Sequence, residues 1–160
     1  MVKFGGSSIG GMEQIDAFAR QISEIRERGL IPVILHGGGP EITDEMKRCG
    51  LPVKKVSGLR ITDDVTLQIA KSVLSRINDR VVVSLRSAGL KAIGVAGSEA
   101  DTLLAKKMDP VNVDGPNGKE PVDLGYVGEV VKVDPRLVSS LCDKGFVPVI
   151  YSICADDSGM

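Results

Sequence analysis

The sequence predicts an α/β fold, a three-layer αβα sandwich around a mainly parallel, doubly wound sheet. Three observations carry that expectation. Short apolar runs alternate with segments of helical periodicity from one end of the chain to the other. Two glycine clusters, in "VKFGGSS" (residues 2–8) and "VILHGGGPEI" (residues 33–42), stand where an apolar run gives way to a helical pattern. The helical patterns themselves stop at single glycines, as left-handed caps require.

In chain order, Val2–Phe4 begins a strand, and Ile15, Phe18, Ile22 and Ile25 then mark an amphipathic helix over residues 12–28 that stops at Gly29. "LIPVIL" reads as the next strand. Pro40 suits the first position of the helix that follows, and Gly50 its exit. Thr62, Asp63 and Asp64 form a helix start whose acids favour the positive end of the dipole. Leu67, Ala70, Leu74 and Ile77 continue the buried stripe of a long helix, or a pair of helices, reaching Gly89. "KAIGVA" and "VGEVVKV" read as strands, with "VDGPNGKEP" as an exposed loop between Asn112 and Pro121. Asp134 and Pro135 open a helix through Lys144, Gly145 closes it, and "FVPVIYSI" is the last strand.

Composition narrows the function classes. With 160 residues, a net charge of -1, 42% apolar and 26% charged residues, the chain has the material for a single domain with one sizeable core. Its balanced charge argues against nucleic-acid and membrane surfaces, which draw clusters of Lys and Arg. It carries neither an apolar run of membrane-spanning length nor the charged-then-apolar pattern of a secretion signal, so a cytoplasmic setting is expected. Cys49, Cys142 and Cys154 lack CxxC spacing and read as inert thiols. No metal-ligand set is read, and Asp156 with Asp157 in "DDSG" suits a turn better than a metal.

In a doubly wound sheet, ligands bind outside the carboxyl ends of the strands, and both glycine clusters fall there. They are therefore expected to be neighbours. A helix amino terminus offers unpaired N–H groups and partial positive charge, and glycine lets an anion reach them. A plain tight turn is the alternative for either cluster alone; two of them favour an anion site. Neither is a Walker loop or a GxGxxG fingerprint. Lys3, between Val2 and Phe4, is costly to bury without an anion, and an edge strand with Lys3 in water is the competing arrangement. His36 suits a hydrogen-bonded turn residue better than an acid-base catalyst. Arg60 has the planar fork that grips a carboxylate with two parallel bonds.

Taken in order, "VKFGGSS", "VILHGGGPEI", "LPVKKVSGLRITDD", "INDRVV" and "LGYVGEV" resemble the amino acid kinase family, and most closely its acetylglutamate kinases. The most specific part of the likeness is the pairing of "HGGGPEI" with "PVKKVSGLRIT". The resemblance implies ATP-dependent phosphorylation of the side-chain carboxylate of N-acetyl-L-glutamate, a step of arginine biosynthesis, with ATP and Mg2+ as cofactors. It implies that Lys3, as the catalytic residue, acts with Gly6, Gly38 and Gly39 on the phosphoryl group in transfer. Gly38, Gly39, Leu59 and Arg60 would hold the acyl amino acid, with Arg60 on its α-carboxylate and residues 52–61 as a hairpin lid. A small-molecule partner and a homo-oligomer, a dimer, are expected. A carboxylate nucleophile is already ionised at neutral pH, so this chemistry needs positioning and charge neutralisation rather than a general base.

The sequence also departs from the family pattern. Only Met1 and Val2 precede Lys3, "GSEADT" (residues 97–102) has fewer glycines than is usual, and Asp79 follows Asn78 where a lysine is common. The family continues past the counterpart of "ADDSGM" into a segment carrying active-site Asn and Asp residues, then into a nucleotide-binding half. Residues 1–160 are therefore expected to be one N-terminal amino-acid-binding domain, with the nucleotide-binding domain and the main ATP and Mg2+ site outside it. A non-catalytic acyl-amino-acid-binding fragment is the alternative, as is a relative acting on acetylaminoadipate, a carrier-linked form of it, or aspartate.

Overall fold

The structure, a computed structural model, describes residues 1–5, 11–115 and 118–156. Gly6 and Asp157, both singled out in the sequence, lie outside the described residues.

Four strands form the central sheet: β1 (Val2–Phe4), β2 (Ile34–His36), β5 (Ala92–Ala96) and β10 (Val147–Tyr151), in the order β1-β2-β10-β5, all parallel. Helix α1 (Met12–Glu27) joins β1 to β2, α2 (Gly39–Arg48) and α3 (Asp64–Ser87) lie between β2 and β5, and α4 (Arg136–Asp143) precedes β10. The step from β1 to β2 and the longer step from β2 to β5 cross the sheet in one direction, whereas β5 to β10 runs back. Right-handed crossovers therefore put α1 and α3 on one face and α4 on the other. That is the expected αβα arrangement.

The core lies between the sheet and the α1/α3 layer. Phe4 of β1 stacks on Phe18 of α1 with ring centroids 4.0 Å apart. Ile15 and Ile22 of α1, Ile34 of β2, Val73, Ile77 and Val81 of α3, and Val147 and Val149 of β10 fill the remainder. The spacing of Ile15, Phe18 and Ile22 is the i, i+3, i+7 stripe that made α1 legible. Asp63 caps α3 by accepting the Thr66 N–H at 2.8 Å. α3 is one unbroken helix ending before Gly89, whose φ of +84° stops it. Its buried stripe runs through Thr66, Ala70, Val73, Leu74 and Ile77, while Leu67 is only half-buried.

Several expectations need correction. The segment taken as an exposed loop is an antiparallel hairpin, β7 (Val111–Gly115) with β8 (Gly118–Val122), in register from Val111 opposite Val122 to Gly115 opposite Gly118. Val111, Asn112, Val113 and Asp114 of β7 alternate apolar and polar, but β8 does not and is exposed up to Pro121, so the turn residues of "DGPNG" dominated the local signal. "VGEVVKV" does form a strand, β9 (Gly128–Val133), but it pairs with β6 (Leu103–Lys107) in a separate two-stranded sheet, with β9 exposed and Leu103–Ala105 of β6 half-buried, and β6 had no clear strand signal. Of "LIPVIL" only Ile34 and Leu35 join β2, and Leu30 is exposed. Lys3 is not in a buried strand: β1 is at the edge of the four-stranded sheet and the Lys3 side chain is exposed. The burial argument for its function therefore does not apply. No helix among the described residues is long and apolar enough to cross a membrane.

Candidate active site

The chain leaves β1 and β2 side by side, as the strand order requires. Phe4 and His36 are register partners at the carboxyl ends of adjacent strands, so Gly5 and Gly37 leave the sheet side by side. Lys3 is paired with Leu35, one residue before the turns on the same two strands. At the same end of the sheet, a cleft of about 350 Å³ opens beyond β5 and β10, lined in part by Lys71, Ser75 and Tyr151.

The glycines there have different reasons. None of Gly5, Gly37, Gly38 and Gly39 has a positive φ, so backbone strain demands none of them. A Cβ on Gly38 would lie 2.6 Å from Ile77 Cδ1 and 3.0 Å from Leu74 Cδ2, so the ends of these α3 side chains would have to shift to admit one. Gly5, Gly37 and Gly39 are unlike it: among the described residues, a Cβ on any of them would meet nothing within 4 Å. Gly39 is the first residue of α2, with Pro40 next in its first turn. Among the described residues, neither the Gly38 N–H nor the Gly39 N–H finds an acceptor. The site is thus a helix amino terminus with free donors, open on the side that side chains would fill.

Residues 52–61 form the expected hairpin. β3 (Lys55–Val56) and β4 (Leu59–Arg60) are antiparallel, with Lys55 opposite Arg60 and Val56 opposite Leu59. The two-residue turn places Ser57 at φ +49° and Gly58 at φ +82°, the left-handed pair of a type I′ turn. Leu59 is half-buried directly after that turn. The hairpin's exit is tied down by the "LGY" segment: Thr62 N–H donates to Leu124 O and Tyr126 N–H to Thr62 O, both at 2.8 Å, and Tyr126 Oη donates to Asp64 Oδ1 at 2.8 Å.

This frame turns Arg60 onto α2. Its Nη2 donates to Thr43 Oγ1 at 2.7 Å and to Gly39 O at 3.1 Å, and Nη1 lies 3.1 Å from Met46 Sδ. No carboxylate among the described residues pairs with it. Partial burial lowers its pKa from the ordinary arginine value, as expected for a guanidinium removed from water without a counter-ion. Arg60 and Gly39, 21 positions apart in sequence, are thus joined by a hydrogen bond. Sequence reading missed Thr43; its position four residues after Gly39 on one helix face was the available signal, and its hydroxyl donates to Gly39 O at 3.0 Å.

His36 is almost wholly buried. Its Nδ1 faces Gly37 O at 2.9 Å and its Nε2 faces Asn78 Nδ2 at 3.0 Å, while Asn78 Nδ2 also donates to Val149 O at 2.8 Å. Burial lowers the imidazole pKa below its usual value, outweighing the Gly37 carbonyl and the Glu41 charge. Glu41 Oε2, also near this turn, is buried without a hydrogen-bond partner among the described residues. No group of three or more His, Cys, Asp or Glu among the described residues is placed to hold a metal ion.

The family model of the amino acid kinase family matches residues 1–159. The chain belongs to the amino acid kinase family. Among family relatives, acetylglutamate kinase of Methanospirillum hungatei is 41% identical over 160 residues, covering 99% of this chain and 54% of that protein. Acetylglutamate kinase of Methanothrix thermoacetophila is likewise 41% identical, with 99% and 54% covered. The chain spans about half the length of these relatives. Its fold is similar to that of N-acetylglutamate synthase from Neisseria gonorrhoeae, with a TM-score of 0.80 at 18% identity over 99% of this chain and 34% of that one.

Proposed function

We propose that this chain is the amino-acid-binding part of a kinase that uses ATP to phosphorylate the side-chain carboxylate of N-acetyl-L-glutamate, a step of arginine biosynthesis. The observation that carries the reading is the turn at Gly5, Gly37 and Gly39, whose lack of side chains neither backbone strain nor packing among the described residues explains. An anion seated against the amino terminus of α2 explains it, and Arg60 beside that terminus, which has no carboxylate partner among the described residues, supplies a partner for a second anionic group. Two anions brought to one helix end are the substrates of carboxyl phosphorylation.

In this reading Arg60 pairs with the α-carboxylate, exchanging part of its hold on Gly39 O and Thr43 for a bidentate ion pair. Leu59 and the hairpin cover the apolar part of the acyl amino acid. The free N–H groups of Gly38 and Gly39 receive phosphoryl oxygens, and Lys3, exposed on the neighbouring strand, neutralises the charge that builds there. ATP supplies the phosphoryl group: an oxygen of the substrate carboxylate forms a bond to the γ-phosphorus as the bond to ADP breaks. No base is needed. The nucleotide, with Mg2+, has its main site in the other half of a protein the length of the relatives.

The test is phosphoryl transfer by this chain extended to the length of its relatives, with N-acetyl-L-glutamate, acetylaminoadipate and aspartate compared as acceptors. Acetylglutamate is expected to give the highest kcat/KM. Lys3→Ala is expected to lower kcat more than it raises either KM, because its contact strengthens as charge moves in the transition state. A kcat within twofold of the parent, with a sharply raised acceptor KM, would make Lys3 a ground-state binder. Acceptor binding without any turnover would leave a non-catalytic acyl-amino-acid-binding module.

A further inference from the structure

A chain of hydrogen bonds runs from the middle of the sheet to the second glycine turn, and its two ends permit only one arrangement. Val149 O can only accept, so the Asn78 amide must present Nδ2 to it, at 2.8 Å. The second hydrogen of that same nitrogen points to His36 Nε2, at 3.0 Å, which must therefore carry a lone pair. The ring proton is then on Nδ1, where the Gly37 carbonyl, also acceptor-only, lies 2.9 Å away. Asn78 Oδ1 packs against Gly94, where an added Cβ would overlap it. Gly94 is not at positive φ, so the amide, rather than backbone strain, accounts for its glycine. His36, Asn78, Val149 and Gly94 thus join β2, α3, β10 and β5 at one buried point.

The peptide bond carries the effect outward. The Gly37 carbonyl and the Gly38 N–H belong to one planar trans peptide and point in opposite directions. Drawing the carbonyl inward to the buried imidazole turns the Gly38 N–H away from the interior, and that N–H has no acceptor among the described residues. Intrinsic backbone preference does not fix that plane, because its orientation is set by ψ of Gly37 and φ of Gly38, and glycine tolerates a wide range of both.

We infer that the buried Asn78–His36 pair is a positioning device for the second glycine turn: it holds the Gly37 carbonyl inward and thereby aims the Gly38 N–H at the anion. The inference rests on the phosphate-binding reading for its purpose, but not for the geometry it asserts. His36 and Asn78 touch no substrate; they act through one peptide plane. Asn at position 36 can replace the Nδ1 donor, whereas Phe fills the space with none.

The test separates the two layers. In the isotope-labelled chain, ring-nitrogen shifts are expected to show a single neutral Nδ1–H tautomer. The residual dipolar coupling of the Gly38 N–H reports that bond's direction, and it is expected to change in His36→Phe and to stay near the parent value in His36→Asn. Asn78→Ala, which leaves the imidazole but removes its donor, serves if His36→Phe does not fold; it is expected to mix the tautomers and to move the same coupling. In the chain extended to the length of its relatives, His36→Phe is expected to lower kcat at least tenfold with each KM within about threefold, and His36→Asn to restore most of it. Ring shifts showing the other tautomer, or Gly38 couplings unmoved by both His36→Phe and Asn78→Ala, would overturn the positioning role. A parent without phosphoryl transfer, but with couplings that shift as described, would instead overturn the kinase reading and leave the peptide geometry intact.

Discussion

At the scale of single residues, Arg60 and His36 are opposite solutions to burying a cation. Arg60 keeps its charge and spends its donors on Thr43 Oγ1 and Gly39 O, neutral acceptors that an anionic ligand outcompetes. Arg60→Ala is expected to reduce kcat/KM for the acyl amino acid by about 2–4 kcal/mol while nucleotide affinity hardly changes. Steady-state kinetics with both substrates checks this, and unchanged use of acetylglutamate would remove Arg60 from the site. His36 avoids the problem by staying neutral. Its folded pKa is lowered, mainly by burial, so between that value and its unfolded value near ~6.5 the unfolded chain holds more protons than the folded one. Stability is therefore expected to fall as pH drops below about 6.5 and to level off below the folded pKa. Denaturant melts at a series of pH values should show that slope in the parent and a shallower one in His36→Asn.

At the scale of elements, the turn between β2 and α2 mixes two demands that the three glycines of "HGGGPEI" conceal. Gly38 is held by the close approach of α3, while Gly39 opens α2 into free space. Gly38→Ala is therefore expected to push the turn off Ile77 and Leu74 and to destabilise the fold by about 1–3 kcal/mol. Gly39→Ala is expected to leave stability unchanged or raise it slightly, because alanine is the better helix residue by up to ~1 kcal/mol, while impairing phosphoryl transfer in the extended protein. Melting temperature and kcat measured on both variants would separate a packing glycine from a ligand glycine. The β3–β4 hairpin has its own logic: Ser57 and Gly58 set its type I′ turn, and its exit is tied through Thr62 to Leu124 and Tyr126, far along the chain. Its position over α2 thus depends on a segment that no local pattern connects to it.

At the scale of the whole molecule, the carboxyl-end rim of a four-stranded parallel sheet carries Gly5 and the second glycine turn, with Lys3 on the edge strand. Phosphoryl transfer needs nucleotide, metal and acceptor held in line, and the loss of that alignment alone is worth about 7–11 kcal/mol in favourable cases. The 160-residue chain by itself is accordingly expected to show no ATP-dependent turnover. Calorimetry with magnesium-ATP beside an ADP-release assay would decide it, and micromolar nucleotide binding together with turnover would show that a complete kinase fits within these residues.

Hydrophobic periodicity and turn chemistry are local, so the sequence by itself determined α1, α2, α3, α4, the strands of the main sheet and the neighbouring glycine turns. The apolar stripe of Ile15, Phe18 and Ile22, the Asp63 cap and the stop at Gly89 can each be read within a few residues. The pairings of two other ribbons escaped: β7 and β8, rich in turn residues, looked like a loop, and β9, whose residues are exposed, looked like a strand of the main sheet. Of the candidate site, Gly38, Gly39, Leu59 and Arg60 were legible as residue types. What joins them was not. The bonds from Arg60 to Thr43 and Gly39, the contact that makes Gly38 a packing glycine, and the line from Val149 through Asn78 and His36 to Gly37 all span turns or elements. Such contacts exist only after hydrophobic burial has brought distant segments to within 3 or 4 Å, and the direction of a hydrogen bond is settled by which acceptor stands opposite.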